Sequence, residues 1–350
     1  MKIKALKPIA ALIIMLAVSC DEPETVVTNY VHPDGSVSRK IEMRSSKKNF
    51  KVSDFQVPFD KTWTIKDSVE INAKGDTTWV KRAVKLFRNT DEINLSYKTD
   101  SGANKGISRH STFTRKFRWF NTEYRFSETI NGTMKFGYPV EDFLSKEELG
   151  YYYSPDRIKA GKQNSADSLK YRAFEDSISK KTDLWASKCL ISEWIGEFSG
   201  LTEGKAGNDL SAPVLKSRED ELLATMKIFE PKFDSLWENG TILRKLIGDE
   251  NALKYRTEAD TALSTVTKRL LLDFKEYSVR IAMPGQFIGT NGFIDSGKVL
   301  QWPVKSDFFL TRPYEMYAES KTTNVWAWII SGLFLLFVLT GVFVRLIKKG

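Results

Sequence analysis

Cysteine and histidine are scarce in this chain of 350 residues, which contains only two of each. Two cysteines exclude a small domain held by several disulfides and a zinc site with four thiolate ligands. Eleven prolines and 21 glycines exclude collagen-like and elastic repeats. The 41% of hydrophobic and 28% of charged residues are typical of folded proteins. At about 150 residues per domain, the length predicts roughly two folding units.

Sequence motifs of common enzymes are also missing. The chain has no Walker loop, no G-x-S-x-G turn, no H-E-x-x-H helix and no Rossmann glycine pattern. His32 and His110 lack the spacing of metal ligands. We interpret Cys189 as a buried packing residue, the alternative being a thiol nucleophile. The acidic groups Glu147-Glu148 and Glu219-Asp220-Glu221 fit the first turns of helices. We therefore predict no enzymatic activity, no cofactor and no metal.

The net charge of +9 comes mostly from the two ends of the chain. Residues 1–19 and 325–350 each carry three basic residues and no acidic one. Removing these six leaves 47 basic and 44 acidic residues, which is a net charge of +3. A nucleic-acid partner is therefore not expected.

The first 20 residues have the order of an export signal. A basic start is followed by the apolar run Pro8–Val18, which is too short to span a bilayer. The run ends in Leu16-Ala17-Val18-Ser19-Cys20, which resembles the lipobox of bacterial lipoproteins. That resemblance implies a signal peptide over residues 1–19 and acylation of Cys20, palmitate included. The alternative is a free cysteine beside an ordinary cleavage site.

A second membrane segment is predicted near the other end. Val325–Val344 contains twenty residues and no charge, which is about 30 Å of helix and the thickness of the hydrocarbon layer. Trp326 and Trp328 lie at its start, as interfacial anchors do. Residues 345–350 form a basic tail, which is typical of a cytoplasmic end. The alternative is a buried core helix.

These two anchors predict a topology. A lipid on Cys20 in the outer leaflet of the inner membrane and a span over 325–344 place the domain in the periplasm of a bacterium. Asp21 directly after the lipidated cysteine resembles an inner-membrane retention signal. In some bacteria an acidic run there resembles a surface-export signal, but a helical span argues against the outer membrane.

The region between the anchors is predicted to change from strands to helices and back. Residues 20–138 are β-rich, with a turn at Pro33-Asp34-Gly35 and an aromatic hairpin that turns at Asn121-Thr122. Residues 139–275 have helical spacing, and Asn251 is the expected cap of the last helix. Residues 276–324 return to strand. We predict an α+β fold whose antiparallel sheet combines both strand segments around a long helical middle.

Two end segments resemble a known family. The hairpin with Asp34-Gly35 and the segment Met283-Pro284-Gly285…Asn291-Gly292…Val299-Leu300-Gln301-Trp302 are similar to the ends of the domain in LppM-like lipoproteins. The resemblance covers about 60 residues and consists mostly of turn and strand chemistry. It implies an envelope domain that contacts lipid or glycolipid, and it supplies no catalytic residue.

The candidate binding site is a basic and aromatic group in and around the aromatic hairpin. Strand alternation places Arg115 and Trp119 on one face, and Lys116 and Arg118 on the other. Guanidinium groups bind phosphate through paired hydrogen bonds, so anionic headgroups or a phosphoglycan are the expected ligands. The alternative is a solvated basic sheet face. The complete candidate set is Arg109, Arg115, Lys116, Arg118, Trp119 and Arg125.

Three hypotheses on function follow from these features. The first is a non-enzymatic binding or scaffolding module at the cell envelope, whose helical middle contacts a protein partner. The second is a lipid or glycolipid binder with a cavity between sheet and helices. The third and weakest is an envelope hydrolase with an unrecognised site.

Overall fold

The structure is a computed structural model. It describes residues 23–48, 56–100, 104–154, 165–205, 208–226, 228–229, 231–270, 274–294 and 299–348. The expected signal peptide and the lipidation site Cys20 lie outside the described residues, as does the end of the basic tail.

The strands of the described residues lie in two groups along the chain. The first group is β1 (Glu24–Val31), β2 (Val37–Ser45), β3 (Thr64–Ile71), β4 (Thr77–Phe87), β5 (Arg109–Phe117) and β6 (Asn121–Ile130). The second is β7 (Tyr277–Ala282), β8 (Gln286–Thr290), β9 (Phe293–Ile294), β10 (Leu300–Val304) and β11 (Tyr314–Thr323). More than 140 residues of mainly helical chain separate the two groups.

The two groups of strands combine in both sheets. Sheet A has the order β3-β4-β2-β1-β7-β10-β9, and sheet B has the order β5-β6-β11-β8. In sheet A, β1 pairs with β7 in parallel, and in sheet B, β6 pairs with β11 antiparallel. The predicted α+β fold with a largely antiparallel sheet from both ends of the chain is confirmed, with two sheets in place of one.

The core between the sheets follows from alternation along the strands. Residues 37 to 45 of β2 alternate between buried and half-buried, which is the pattern of a strand with one covered face. Fully buried side chains from both sheets meet in this core, among them Ile41, Phe87, Phe126, Val279 and Trp302. Residues distant in sequence therefore contribute to one apolar core, whose burial stabilises the sheets.

The helices are mostly in the middle of the chain. They are α1 (Thr90–Lys98), α2 (Lys146–Tyr152), α3 (Ser165–Thr202), α4 (Ala212–Ser217), α5 (Glu219–Met226), α6 (Phe233–Glu238), α7 (Thr241–Ile247), α8 (Asp249–Lys254), α9 (Arg256–Arg269) and α10 (Val325–Ile347). The middle helices enclose a core of their own, with Trp185, Trp194, Phe198, Trp237 and Leu263 at its centre. We call α2–α9 the helical body.

Two details of the helices differ from the sequence expectations. Helix α1 lies in the segment that was expected to be all strand; the side chain of Asn89 caps it by accepting from the Glu92 amide at 3.1 Å. The expected cap at Asn251 is wrong, because Asn251 lies inside α8 and its side chain donates to the Ile247 carbonyl. In both places tertiary contacts decide where the helix begins, and they override the expectation from the periodic sequence pattern.

The helical body joins sheet B at one end of its strands. The amides of Thr133 and Met134, just after β6, donate to the Leu310 carbonyl, just before β11. The Thr133 hydroxyl donates to the carbonyl of Arg269 at the end of α9. Met134 and Leu310 are themselves members of the helical core. The helical body is therefore attached where β6 ends and β11 begins.

Two glycines are required by the close approach of other residues. Gly35 has φ of +90° in the predicted β1–β2 turn, and a Cβ there would lie 2.9 Å from the Phe113 ring. Gly285 has φ of +75°, and a Cβ there would lie 2.3 Å from the Lys321 carbonyl oxygen. The expected turns are confirmed, and Gly285 brings the start of β8 against the far end of β11.

Candidate functional site

The apolar helix α10 follows β11 after the single residue Asn324. It has 23 residues, or about 34 Å, and is long and apolar enough to cross a membrane. Its side chains are almost all exposed, and Ala327 is the one buried among those described. A core helix would be covered by protein, so the core-helix alternative does not describe α10.

The predicted basic and aromatic group divides into three places. Arg115, Lys116, Arg118 and Trp119 are exposed at the end of the β5–β6 hairpin. Arg109 lies at the opposite end of β5 and is buried, and Arg125 lies within β6 and is half-buried. The structure therefore retains four of the six candidates as one surface.

The hairpin turns two residues earlier than the sequence suggests. The Arg118 amide donates to the Asn121 carbonyl at 2.8 Å, which leaves Trp119 and Phe120 as the two loop residues. The predicted turn at Asn121-Thr122 is wrong, because both residues belong to β6. We call Arg115–Phe120 the hairpin tip.

Asn324 fastens the hairpin tip to the start of α10. Its backbone amide donates to the Phe120 carbonyl at 3.0 Å. Its side-chain amide donates to the Arg118 carbonyl at 2.7 Å and the Trp119 carbonyl at 3.2 Å. Its side-chain oxygen accepts from the Thr122 hydroxyl at 3.0 Å. One residue thus holds strand, turn and helix together.

Aromatic rings extend this junction along the helix. The centroid distances are 6.2 Å from Phe117 to Trp326, 5.3 Å from Trp119 to Trp326, and 4.4 Å from Phe120 to Trp328. All five residues nevertheless remain between 40% and 56% exposed. They form a ring cluster of the kind found at membrane–water interfaces.

The charges of the hairpin tip are largely uncompensated. Among the described residues, Arg115 and Lys116 have no ion-pair partner. Arg118 lies 3.5 Å from Glu123, and both side chains are well exposed, so this pair is weak. The tip therefore presents three cations beside an exposed apolar helix.

Arg109 has a different environment from the tip. Its guanidinium lies 5.6 Å from the centroid of the Tyr97 ring and 5.9 Å from that of Tyr277, and it donates to the Gln56 carbonyl at 3.0 Å. It is only 7% exposed. The protein therefore covers Arg109, which does not share the exposed surface of the hairpin tip.

Next to Arg109, a buried ion pair connects the two sheets. Arg39 of β2 donates to Glu128 of β6 at 2.7 Å, and each side chain is 1% exposed. Arg39 also donates to Asn29 and to the Tyr97 hydroxyl, which in turn donates to Glu128. Burial raises the pKa of Tyr97, so its hydroxyl stays protonated and keeps this donor role. Arg39, Tyr97 and Glu128 bond to one another, while the side-chain nitrogen of Asn29 is buried without a hydrogen-bond partner in the part of the chain that the structure describes. The cluster has the geometry of a structural element.

Arg125 is occupied by internal partners. Its guanidinium donates to Glu319 at 2.5 Å and to Glu315 at 3.0 Å, both on the neighbouring strand β11. The same group lies 4.1 Å from the centroid of the Tyr317 ring. Its positive charge is compensated within sheet B, so Arg125 does not belong to the binding surface.

Of the residues weighed for catalysis, Cys189 and Glu219 both contact Tyr138, whose amide donates to the Cys189 sulfur at 3.3 Å and whose hydroxyl donates to Glu219 at 2.7 Å. Cys189 is fully buried, and burial raises the pKa of its thiol to about 11, which confirms its interpretation as a packing residue. His32 bonds to Ser38 at 2.9 Å, and His110 is exposed on β5. Glu148 lies in a capping box with Ser145, as expected of a first helical turn. Within the described ranges, no group of three potential metal ligands occurs.

Comparisons with known proteins give little further information. No family model matches the chain, and no curated protein matches it. Among solved structures, it is similar to the folded domain of the Mycobacterium tuberculosis LppM protein, determined by NMR. The identity is 11% and the TM-score 0.26, over 86% of this chain and 91% of that domain. A likeness of this size carries no argument about fold or function.

Proposed function

We propose that the protein is a non-enzymatic scaffold of the bacterial cell envelope, whose helical body is held at a fixed height above the membrane to bind a protein partner. The observation that carries the proposal is the junction at Asn324. Four hydrogen bonds and three ring contacts fix sheet B to α10. Simple anchoring needs only a flexible linker, which would make none of these contacts.

Sheet B acts as the spacer. Its strand β11 begins beside the helical body at Tyr314 and ends at Thr323, one residue before α10. Ten residues of strand cover about 30 Å. The helical body is therefore displayed roughly that far along the strand direction from the start of the helix. A fixed display of this kind suits a module that must meet a partner in a defined position.

Two anchors hold the scaffold in this proposal. Helix α10 crosses the inner membrane, with Arg345 and Lys348 on the cytoplasmic side. The lipid on Cys20 is a second attachment in the outer leaflet. The domain between the anchors then lies in the periplasm.

A cavity for lipid is the second candidate function. A cleft of about 430 Å³ lies between the end of α3 and the start of α4, lined among others by Gly196, Ser199, Thr202, Leu210 and Ser211. It is inside the helical body, not between sheet and helices, and its lining mixes small and polar residues with the apolar Leu210, Ala212 and Pro213. Lipid chains prefer apolar walls, so this cleft does not favour the cavity hypothesis.

Thiol labelling in spheroplasts tests the scaffold topology. One variant replaces Leu253, which is 81% exposed on α8, with cysteine, and another adds a cysteine after Gly350. A membrane-impermeant reagent should label the first and spare the second until the membrane is opened. Cys189 is buried and serves as an internal unreactive thiol. Labelling of the tail in intact spheroplasts would overturn the proposal.

The lipid anchor needs a separate test. Cys20→Ser should abolish incorporation of labelled palmitate and leave the precursor uncleaved. The double change Leu335→Arg and Phe337→Arg should weaken insertion of α10, because each central charge costs about 2.5–3.5 kcal/mol on insertion scales. Each variant alone should remain on the membrane, and the combination should weaken both attachments. Equal palmitate in the wild type and Cys20→Ser would refute the acylation.

A further inference from the structure

We propose that the hairpin tip is a third membrane contact besides α10 and the lipid on Cys20, in which Trp119 and Phe120 enter the interfacial layer and Arg115, Lys116 and Arg118 bind anionic phospholipid headgroups. The proposal rests on α10 spanning the membrane, and it adds a lipid ligand to the scaffold. The ligand is the leaflet in which α10 begins, because the tip is continuous with that helix. The contact between the hairpin tip and α10, and not the basic composition of the tip alone, therefore identifies the membrane as the ligand.

The depth of the tip follows from one hydrogen bond. The Trp119 indole donates to the Ser331 hydroxyl at 2.8 Å. Ser331 is the seventh residue of α10, so it lies about 9 Å along the helix axis from Val325. If α10 spans the bilayer, the Trp119 side chain reaches the outer edge of the hydrocarbon layer. There the indole and the hydroxyl satisfy each other where water is scarce.

The residues of the turn are unusual for a hairpin exposed to water. Two-residue hairpin loops favour Asn, Asp and Gly. This loop consists of Trp119 and Phe120, which are 48% and 40% exposed, and Phe117 beside them is 55% exposed. Such a cluster is costly in water, whereas an interface favours large rings with one apolar side.

The charges of the tip match a surface of phosphates. Arg115, Lys116 and Arg118 are within four positions of each other, and the tip contains no acidic residue. The other two arginines of the predicted group face the protein: Arg109 is buried and donates to the Gln56 carbonyl, and Arg125 pairs with Glu315 and Glu319. Each basic residue near an anionic leaflet strengthens attachment roughly fivefold. Three together give on the order of a hundredfold.

Lipid retention by the full-length protein tests this inference. The protein is reconstituted in bilayers of equal phosphatidylcholine and phosphatidylglycerol, extracted in mild detergent, and analysed by native mass spectrometry. The wild type should retain phosphatidylglycerol preferentially. The triple variant Arg115→Gln, Lys116→Gln, Arg118→Gln should lose about tenfold or more of that preference. The matched control changes three exposed lysines of the helical body by the same charge: Lys216→Gln, Lys232→Gln and Lys245→Gln.

Two outcomes separate this inference from the scaffold proposal. Alkaline carbonate extraction of the Cys20→Ser variant, which lacks the lipid anchor, reports on α10. If that variant washes off the membrane, the span and the scaffold proposal fail together with the inference. If it stays and the tip variant keeps its full preference for phosphatidylglycerol, only the headgroup site is refuted. An equal loss in the control variant would also refute it, because net charge and not the tip would then explain the effect.

Discussion

Trp119 and Ser331 are 212 residues apart in the chain and are joined by a hydrogen bond of 2.8 Å. The donor belongs to the turn of a hairpin in the folded domain, and the acceptor belongs to an apolar helix that is otherwise exposed. A domain joined to its helix by a flexible linker would not hold the Trp119 indole against the Ser331 hydroxyl. The bond therefore indicates that the domain and the helix have one defined relative orientation.

Asn324→Ala should loosen that orientation. The variant loses three side-chain hydrogen bonds, to Arg118, Trp119 and Thr122, each worth about 1 kcal/mol net. Amide exchange in residues 118–122 and 324–328 should accelerate roughly 30-fold or more. Asn72→Ala, which removes hydrogen bonds in the exposed β3–β4 loop, is the control. Unchanged exchange at the junction would show that Asn324 is dispensable there.

The buried pair of Arg39 and Glu128 should be a major contributor to stability. Glu128→Gln leaves the Arg39 charge unpaired in the core, so the free energy of unfolding should fall by about 3–5 kcal/mol. Asp67→Asn, which weakens the pair between the exposed Asp67 carboxylate and the half-buried Lys81, should cost no more than about 1 kcal/mol. Denaturant titration of the full chain in detergent measures both. Similar losses in the two variants would contradict the structural role of the buried cluster.

Acid should weaken the contact between α2 and α3. The Lys181 ammonium, and after it the Ser145 amide, lower the pKa of Glu148 to about 2. A lowered pKa means that the carboxylate stabilises the fold above the ordinary value near 4.5, and that this contribution disappears as the pH falls toward 2. The stability difference between wild type and Lys181→Met should therefore be constant above about pH 5 and shrink below it.

Lys180→Met provides the control for that pH profile, because Lys180 is exposed and next to Lys181 in α3. Its stability should follow the wild type at every pH. Thermal melting between about pH 2 and pH 7 gives the comparison, because this range includes both the ordinary and the lowered carboxyl pKa. If the stability difference between the wild type and Lys181→Met does not change with pH, the ion pair with Glu148 is contradicted.

The last strands should be needed for both sheets. In sheet A, β7 lies beside β1 and β10 beside β7, and in sheet B, β11 pairs with β6. A fragment of residues 21–275 would leave β1 and β6 with open edges and should aggregate. A fragment of residues 21–324 keeps all described strands and is the matched control. A monomeric shorter fragment with a cooperative melt would show that the strand segments fold separately.

Local patterns predict much of the fold. The uncharged run from Val325 predicts α10, alternation predicts most strands, and Pro33-Asp34-Gly35 predicts the first turn. These features depend on neighbours in sequence. The helix α1 also had a local signal, since Asn89 is followed at the third position by Glu92, which is a helix-start pattern.

The candidate site depends on distant contacts, so the sequence predicts it only in part. Strand alternation assigns faces within β5, but it does not show that Gln56 covers Arg109 or that β11 supplies the carboxylates for Arg125. The turn was misplaced because Trp119 and Phe120 have poor turn propensity. The contacts of Asn324 with residues 118–122 have no local signature.

Photo-crosslinking at Phe120 in living cells is the most direct test of the account. A benzophenone side chain there should form adducts with phospholipid acyl chains and with residues 326–331 of α10. The same group at Leu253, which is 81% exposed on the helical body, should form no lipid adduct. Lipid adducts at position 120 but not at 253 are the result that the account predicts. No lipid adduct at position 120, with the protein still resistant to carbonate extraction, would contradict the placement of the hairpin tip at the membrane.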